Sequence, residues 1–347
     1  MKKIIGIALM IAGSSAFASK ARYNALGQAA HLTDTQTVFN IPSDMMSLPE
    51  LMEFNFGSNA IGQNTDGGMI RSAGDARIGF FLGAVDSART GDYLGIENPF
   101  SVVYGAKAGD MTWGVLFSYA SSKVKKDDSS AFDDKSQDFM KLTGSVVMGD
   151  TTVALDLGLA NKAKGNADAT PASGDQDHEF SKTPMELSVY HKMGEWTVYG
   201  DYKNEVEKDN AGGSEVKTTT STMKLGGVHA MKSEGADFFY GLEYTMIDAK
   251  AGSTKSQASM FPVILGIETD AASWLTLRGS VKQNVLLGTT KVTGASGPDT
   301  IIHDTTINAG MGFKFTKSTL DITLTSASTG AINGSSFGAN AGMTYLF

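Results

Sequence analysis

From about residue 100 to its end, the sequence alternates apolar and polar residues in short segments, each bounded by a turn or a polar stretch. Met111-Thr112-Trp113-Gly114-Val115-Leu116-Phe117-Ser118-Tyr119 follows Gly109-Asp110. After Gly149-Asp150, Val153, Leu155, Leu157 and Leu159 alternate with Thr152, Ala154, Asp156 and Gly158. Phe238, Tyr240, Leu242, Tyr244 and Met246 share one face with Glu243 on the other, and Ile307, Ala309, Met311, Phe313 and Phe315 alternate with Asn308, Gly310, Gly312 and Lys314. A period of two, punctuated by Gly/Asp turns, is the pattern of β-hairpins. Beyond the first eighteen residues no run approaches the roughly 20 apolar residues of a spanning helix. The apolar face of these strands must therefore meet either a second sheet or lipid.

Connection lengths choose between the two. Polar stretches near 121–136, 163–182, 208–216, 249–256, 286–302 and 327–335 alternate with tight turns near 109–110, 149–150, 194–195, 232–236, 270–273 and 316–318. Long loops at one end and short turns at the other are the asymmetry of outer-membrane barrels, which a soluble sandwich has no reason to show. Trp113, Trp196 and Trp274 stand at strand starts beside short turns, the level of an aromatic girdle. The expected fold is all-β: a transmembrane antiparallel β-barrel over residues 51–347. Fourteen segments are countable from residue 75 and Leu51 to Asn59 is a fifteenth candidate. Bacterial single-chain barrels need an even number, so fourteen strands are expected, with sixteen the alternative.

The first residues place the chain. Lys2 and Lys3 precede the apolar stretch Ile4 to Gly13, and Ala16 and Ala18 occupy the two positions a signal peptidase reads, so residues 1–18 are expected to be a signal peptide cut after Ala18. Removing Lys2 and Lys3 from 29 basic residues leaves 27 against 37 acidic ones, a mature charge of −10. That balance excludes a nucleic-acid binder. The absence of cysteine excludes a disulfide scaffold, a zinc-thiolate site and a thiol nucleophile. The expected location is the cell outer membrane, with outer-membrane lipid and lipopolysaccharide as surroundings and no cofactor.

Two stretches resemble known families. Asn340-Ala341-Gly342-Met343-Thr344-Tyr345-Leu346-Phe347 resembles the β-signal read by the outer-membrane barrel assembly machinery, its elements falling on Asn340, Gly342, Tyr345 and Phe347. Residues 19–50 do not read as strand. There, Arg22-Tyr23-Asn24-Ala25-Leu26-Gly27-Gln28-Ala29 followed by Asn40-Ile41-Pro42 resembles the start of the long-chain fatty-acid transporter superfamily and its PorV-like relatives. The family's stretch has a second glycine where this chain has Gln28, and no residue like Ile41 before the proline. The resemblance implies an N-terminal segment packed into the lumen as a partial plug; the alternative is a periplasmic lead-in. The rest of the chain is similar to porin-type outer-membrane proteins generally.

With the aliphatic face toward lipid, alternation assigns the pore wall to Arg77, Lys107, Lys141, Lys192, Lys203, Lys224, Arg278, Lys282 and Lys314 as cations. The anions on it are Asp156, Glu186, Asp201, Glu243, Glu268 and Asp321. The slight basic excess predicts weak anion preference unless these charges pair across strands. Catalysis is not expected. The five histidines, His31, His178, His191, His229 and His303, are scattered without metal-ligand spacing. His303-Asp304 with Asp127-Asp128 and Asp133-Asp134 faintly resembles the Asp/His pairs of outer-membrane aspartyl-type proteases, but the acidic pairs share a loop with four lysines. The leading functional expectation is a porin-like channel for small hydrophilic solutes. A plugged transporter of hydrophobic molecules and a structural or surface-interaction barrel without an open pore are the alternatives.

Overall fold

The computed structural model describes residues 19–59, 62–83, 95–96, 98–124, 135–166, 177–211, 214–233, 235–293, 300–302, 305–328 and 337–347. Its strands are β1 (Leu51–Asn59), β2 (Gly62–Ala73), β3 (Ala76–Leu82), β4 (Phe100–Ala108), β5 (Met111–Val124), β6 (Lys135–Met148), β7 (Thr151–Asn166), β8 (Asp177–Met193) and β9 (Trp196–Ala211). They continue with β10 (Ser214–Ser233), β11 (Ala236–Ala251), β12 (Thr254–Ala272), β13 (Leu275–Val292), β14 (Thr300–Ile302), β15 (Thr305–Lys314), β16 (Ser318–Ser328) and β17 (Phe337–Leu346).

Sequential strands pair antiparallel, and β1 pairs with both β2 and β17, so the sheet closes on itself. The three residues of β14 pair only with Gly288 to Thr290 of β13, which also pairs directly with β15, so β14 stands outside the ring. Sixteen strands close the barrel, which corrects the expected fourteen in favour of the alternative. Fourteen ring strands do follow residue 75. β1 is the fifteenth candidate, and the strand absent from the expectation is β2.

The physical reason lies in its sequence, Gly62-Gln63-Asn64-Thr65-Asp66-Gly67-Gly68, which has turn composition and no apolar alternation. Asp66 is nevertheless buried inside the barrel, and a Cβ on Gly68 would overlap the Phe81 ring. Two of the stretches expected as long loops are also strand. β9 and β10 reach Ala211 and Ser214, and β11 and β12 reach Ala251 and Thr254. Above the hydrocarbon both faces of a strand meet water, so the ladder continues while the alternation that betrays it disappears.

Strand lengths are unequal around the ring. β3 has 7 residues and β4 has 9, whereas β10, β12 and β13 have 20, 19 and 18. Outward positions carry exposed apolar side chains such as Phe54, Phe80, Leu187, Leu225, Leu265 and Leu324. Antiparallel closure satisfies the backbone without an edge, and an apolar exterior of this kind is stable only against lipid. The protein is an outer-membrane barrel.

Candidate functional site

The N-terminal segment packs against inward-facing residues of the barrel wall. A short helix, α1 (Lys20–Ala25), packs against β13, β15, β16 and β17. The Thr323 hydroxyl donates to the carbonyl of Ala21, and the Ser280 hydroxyl to that of Ala25 at 2.9 Å. Gly310 admits this approach, since a Cβ there would stand 2.7 Å from the Cβ of Ala25. On the opposite wall the 3-10 helix Pro42–Ser47 packs against β3, β4, β5 and β6, and the Ser43 N–H donates to Ser145 Oγ at 2.8 Å. Gly114 is required here, because any Cβ would overlap the backbone of Pro42 and Ser43.

Apolar contacts fill the space between. Leu26 and Ala29 join Val228, Phe239 and Ile264 in one buried cluster, and Val38, Met45 and Leu48 join Ile70, Phe81, Val103 and Leu116 in another. Residues 19–48 thus cross the lumen from wall to wall, in the half that carries the tight turns and therefore faces the periplasm.

Where α1 ends, Gly27 and Gln28 both adopt left-handed backbone, with φ of 64° and 56°. Gln28 is the position at which the resembled motif has its second glycine. A side chain in this region costs roughly 1–2 kcal/mol, partly offset in the comparison by the greater unfolded-chain entropy of glycine. Gln28→Gly is therefore expected to stabilise the protein by up to about 1 kcal/mol in urea unfolding. A loss of stability would instead assign more weight to the Gln28 Nε2 to Asn24 Oδ1 hydrogen bond of 3.0 Å.

Buried ion pairs tie the segment to the wall in one continuous chain of contacts. Asp321 Oδ1 accepts from Arg278 Nη1 at 2.6 Å, and Glu268 Oε2 accepts from both Arg278 Nε at 3.1 Å and Arg22 Nε at 2.9 Å. Arg22 also reaches Asp34 at 3.2 Å. The Thr35 hydroxyl lies 3.1 Å from Asp34 Oδ1 and donates to Glu53 Oε2 at 2.6 Å. Asn55 Nδ2 lies 3.2 Å from Glu53 Oε1 and 2.7 Å from Asp66 Oδ1, and Lys20 Nζ meets Asp66 Oδ2 at 3.0 Å. Ser19 Oγ donates to Asp321 Oδ2 at 3.0 Å and returns the chain to its start. Burial raises the Asp34 carboxyl to about 7 even with Arg22 beside it.

The sequence-assigned wall residues divide by what they touch. Arg278 and Asp321 belong to this ring, and Arg77 Nη1 points at the Met45 carbonyl, 3.5 Å away. Lys141 pairs with Asp156, Lys203 with Glu205 at 3.2 Å, Lys282 with Glu243 at 3.7 Å and Lys314 with Asp270 at 2.7 Å. Asp201 accepts from the Tyr190 hydroxyl at 3.5 Å and lies opposite Lys224 in the register. Lys107 and Lys224 form no ion pair among the described residues. Of the assembly-signal residues, Asn340 and Gly342 face inward, while Tyr345 and Phe347 stack edge-on, 5.7 Å apart, on the outer face.

Ala16 and Ala18 lie outside the described residues, as do Asp127-Asp128, Asp133-Asp134 and His303-Asp304. Among the described residues, no group of three His, Asp or Glu side chains is placed to hold a metal ion.

Sequence reasoning missed Ser19, Lys20, Asp34, Glu53, Asn55 and Asp66. Glu53 and Asn55 share the inward parity of Leu51, and an acid at that parity between Leu51 and Phe54 was the available signal.

One cavity lies on the outer face of the barrel and a second adjoins the segment. A polar crevice of about 350 Å³ runs beside it at the periplasmic rim, lined by Thr33, Ser43, Asp44, Lys107, Asp150, Thr152 and Lys192. Burial raises the Asp44 carboxyl to about 6 against the opposing hydrogen bond from Thr37. Across the barrel, a larger groove of about 800 Å³ is lined by the outward Met52, Phe54, Met69, Phe80 and Leu82, with Ile96 and Pro99. Above the segment the lumen is polar. Tyr190 and Tyr199 stack at 5.9 Å, Tyr199 donates to Glu243 at 2.8 Å, and Glu205 bridges Lys182 and Lys203.

Neither a protein-family model nor a curated protein sequence matches the chain. Among solved structures it is similar to a loop-deletion mutant of OmpT, an outer membrane protein of Vibrio cholerae, at 11% identity over 86% of this chain and 97% of that one, TM-score 0.45. It is also similar to the CymD monoaromatic hydrocarbon channel, at 10% identity over 94% and 97% of the two chains, TM-score 0.44. A third is a bacterial polysaccharide outer membrane secretin, at 10% identity over 86% and 98%, TM-score 0.49.

Proposed function

We propose that this barrel is a restricted outer-membrane channel for small polar solutes, closed to free diffusion by its own N-terminal segment. The observation that carries the reading is the course of residues 19–48 from wall to wall across the lumen, held by the buried ring of ion pairs. A wide diffusion pore would leave its narrowest level to water. Here that level holds two apolar clusters, with a crevice of about 350 Å³ beside the segment at the periplasmic rim.

The paired charges above the segment favour polar cargo. Pairing of Lys141, Lys203 and Lys282 with neighbouring acids weakens the anion preference that free cations would give the wall. A second reading, transport of apolar molecules, is favoured by the 800 Å³ groove in the outer wall. Contact with lipid and lipopolysaccharide, and delivery by the barrel assembly machinery through β17, belong to either reading. Neither reading calls for catalysis or a cofactor.

Planar-bilayer recording separates the restricted channel from an open one. The intact protein is expected to show small steps, and a variant lacking residues 19–48 steps several-fold larger. Equal step sizes in the two would overturn the reading.

A further inference from the structure

The ring of buried contacts is short of positive charge. It links five carboxyl groups, Asp321, Glu268, Asp34, Glu53 and Asp66, to three cations, Arg278, Arg22 and Lys20. A buried carboxylate without a compensating cation is costly, so two unmatched acids require an explanation. Burial raises the Asp34 carboxyl to about 7, so partial protonation near neutral pH offsets part of the deficit.

One row of the register joins two carboxylates of the ring beside the first described residue of the chain. Asp321 of β16 lies opposite Gly342 of β17, Gly342 opposite Asn55 of β1, and Asn55 opposite Asp66 of β2. This row runs across the seam where the first and last strands meet, and two consecutive residues lie along it. Ser19 donates its hydroxyl to Asp321, and its Cβ fills the place a side chain on Gly342 would take. The Lys20 N–H donates to Asn55 Oδ1 at 3.2 Å and its ammonium to Asp66. Glycine at 342 is therefore what lets Ser19 lie against the wall, a role separate from its place in the resembled assembly signal.

We propose that this row is a docking site for the processed N-terminus of the chain itself, with the α-ammonium of Ser19 as the missing cation clasping the β1–β17 seam. The reaction that must supply it is hydrolysis of the Ala18–Ser19 peptide bond by a leader peptidase. Water adds its oxygen to the Ala18 carbonyl carbon, the C–N bond breaks, Ala18 leaves as a carboxylate and the Ser19 nitrogen takes up both of the water's protons to become an ammonium. Before that step the Ser19 nitrogen is a neutral amide, and the ring stays one cation poorer. The inference rests on the segment lying in the lumen and is indifferent to what crosses the barrel.

The test uses the full protein purified in folded form from outer membranes. Intact-mass measurement is expected to place its first residue at Ser19; a mature chain beginning at any other residue overturns the proposal. Pulse acetylation near neutral pH then reads the accessibility of the α-amine. It is expected to react at least about tenfold more slowly in the folded protein than in the denatured chain. Equal rates overturn the proposal.

Gly342→Ala, which pushes a methyl group into Ser19, is expected to restore fast labelling while the heat-modifiable gel shift of a folded barrel persists. Should that variant fail to assemble, Asn55→Ala removes an acceptor of the row without crowding the seam and carries the same expectation. Continued protection in the assembled variant would count against the row. The readout is amine protection and not conductance, so failure here leaves the restricted-channel reading standing, and the converse holds.

Discussion

Replacing Arg278 by methionine is expected to cost about 3–5 kcal/mol of stability, the range for breaking a buried ion pair by removing one partner. The Arg278 side chain is 2% exposed and that of Asp321 is 1% exposed, so neither charge can turn to water when the other is lost. Methionine keeps the volume and strips the charge. Glu268 would retain Arg22, but Asp321 would lose its side-chain ion partner among the described residues. Urea unfolding followed by the fluorescence of Trp113, Trp196 and Trp274 measures the loss. Adding Asp321→Asn to the same chain should recover most of it, since the uncompensated charge is then gone. A single variant within about 1 kcal/mol of the wild type would mean that water reaches the ring.

The second large effect is expected at Gly114. A valine there places its Cβ inside the backbone of Pro42 and Ser43, which cannot yield as a flexible side chain would. The 3-10 helix must leave the wall, taking Met45 from its contacts with Val103 and Leu116. Overpacking alone costs about 1–3 kcal/mol, and the opened cluster adds to it. The barrel itself should still close, because β5 keeps its ladders to β4 and β6. Gly114→Val should therefore produce an assembled barrel with enlarged conductance steps and new protease cuts within residues 37–48. Gly144→Val on β6 is the control, since a Cβ there meets nothing within 4 Å. If the two variants behave alike, the wall contact is not what seats the helix.

What the sequence discloses here follows the reach of each interaction. The strands β5, β11 and β15 announce themselves because a single physical demand, lipid on one face and water or protein on the other, recurs every second residue along them. β2 is silent because its inward face answers to Lys20, 46 positions away, and to the ring of Phe81 on the neighbouring strand, and its outward face is partly glycine. The upper halves of β9 to β12 are silent for the opposite reason, having water on both sides.

That residues 19–50 are not barrel strand is legible in the sequence, but the ring that holds them is not. Ser19 and Asp321 are 302 positions apart, and no local pattern marks a contact made only once the barrel has closed. Arg278 and Asp321 were placed on the wall by parity alone. Parity sets which side of the sheet a charge faces and says nothing about its partner.

The unequal strand lengths have a consequence for the membrane around the protein. At roughly 3.4 Å per residue and a tilt near 45°, the 20 residues of β10 rise roughly 48 Å, well beyond an apolar band of about 25 Å. The 7 residues of β3 rise only roughly 17 Å, less than the band itself. Lipid beside the described residues of β3 therefore meets a shorter run of strand than lipid beside β10, and each Å by which strand and bilayer differ costs a fraction of a kcal/mol. The barrel thus has a direction within the plane of the membrane.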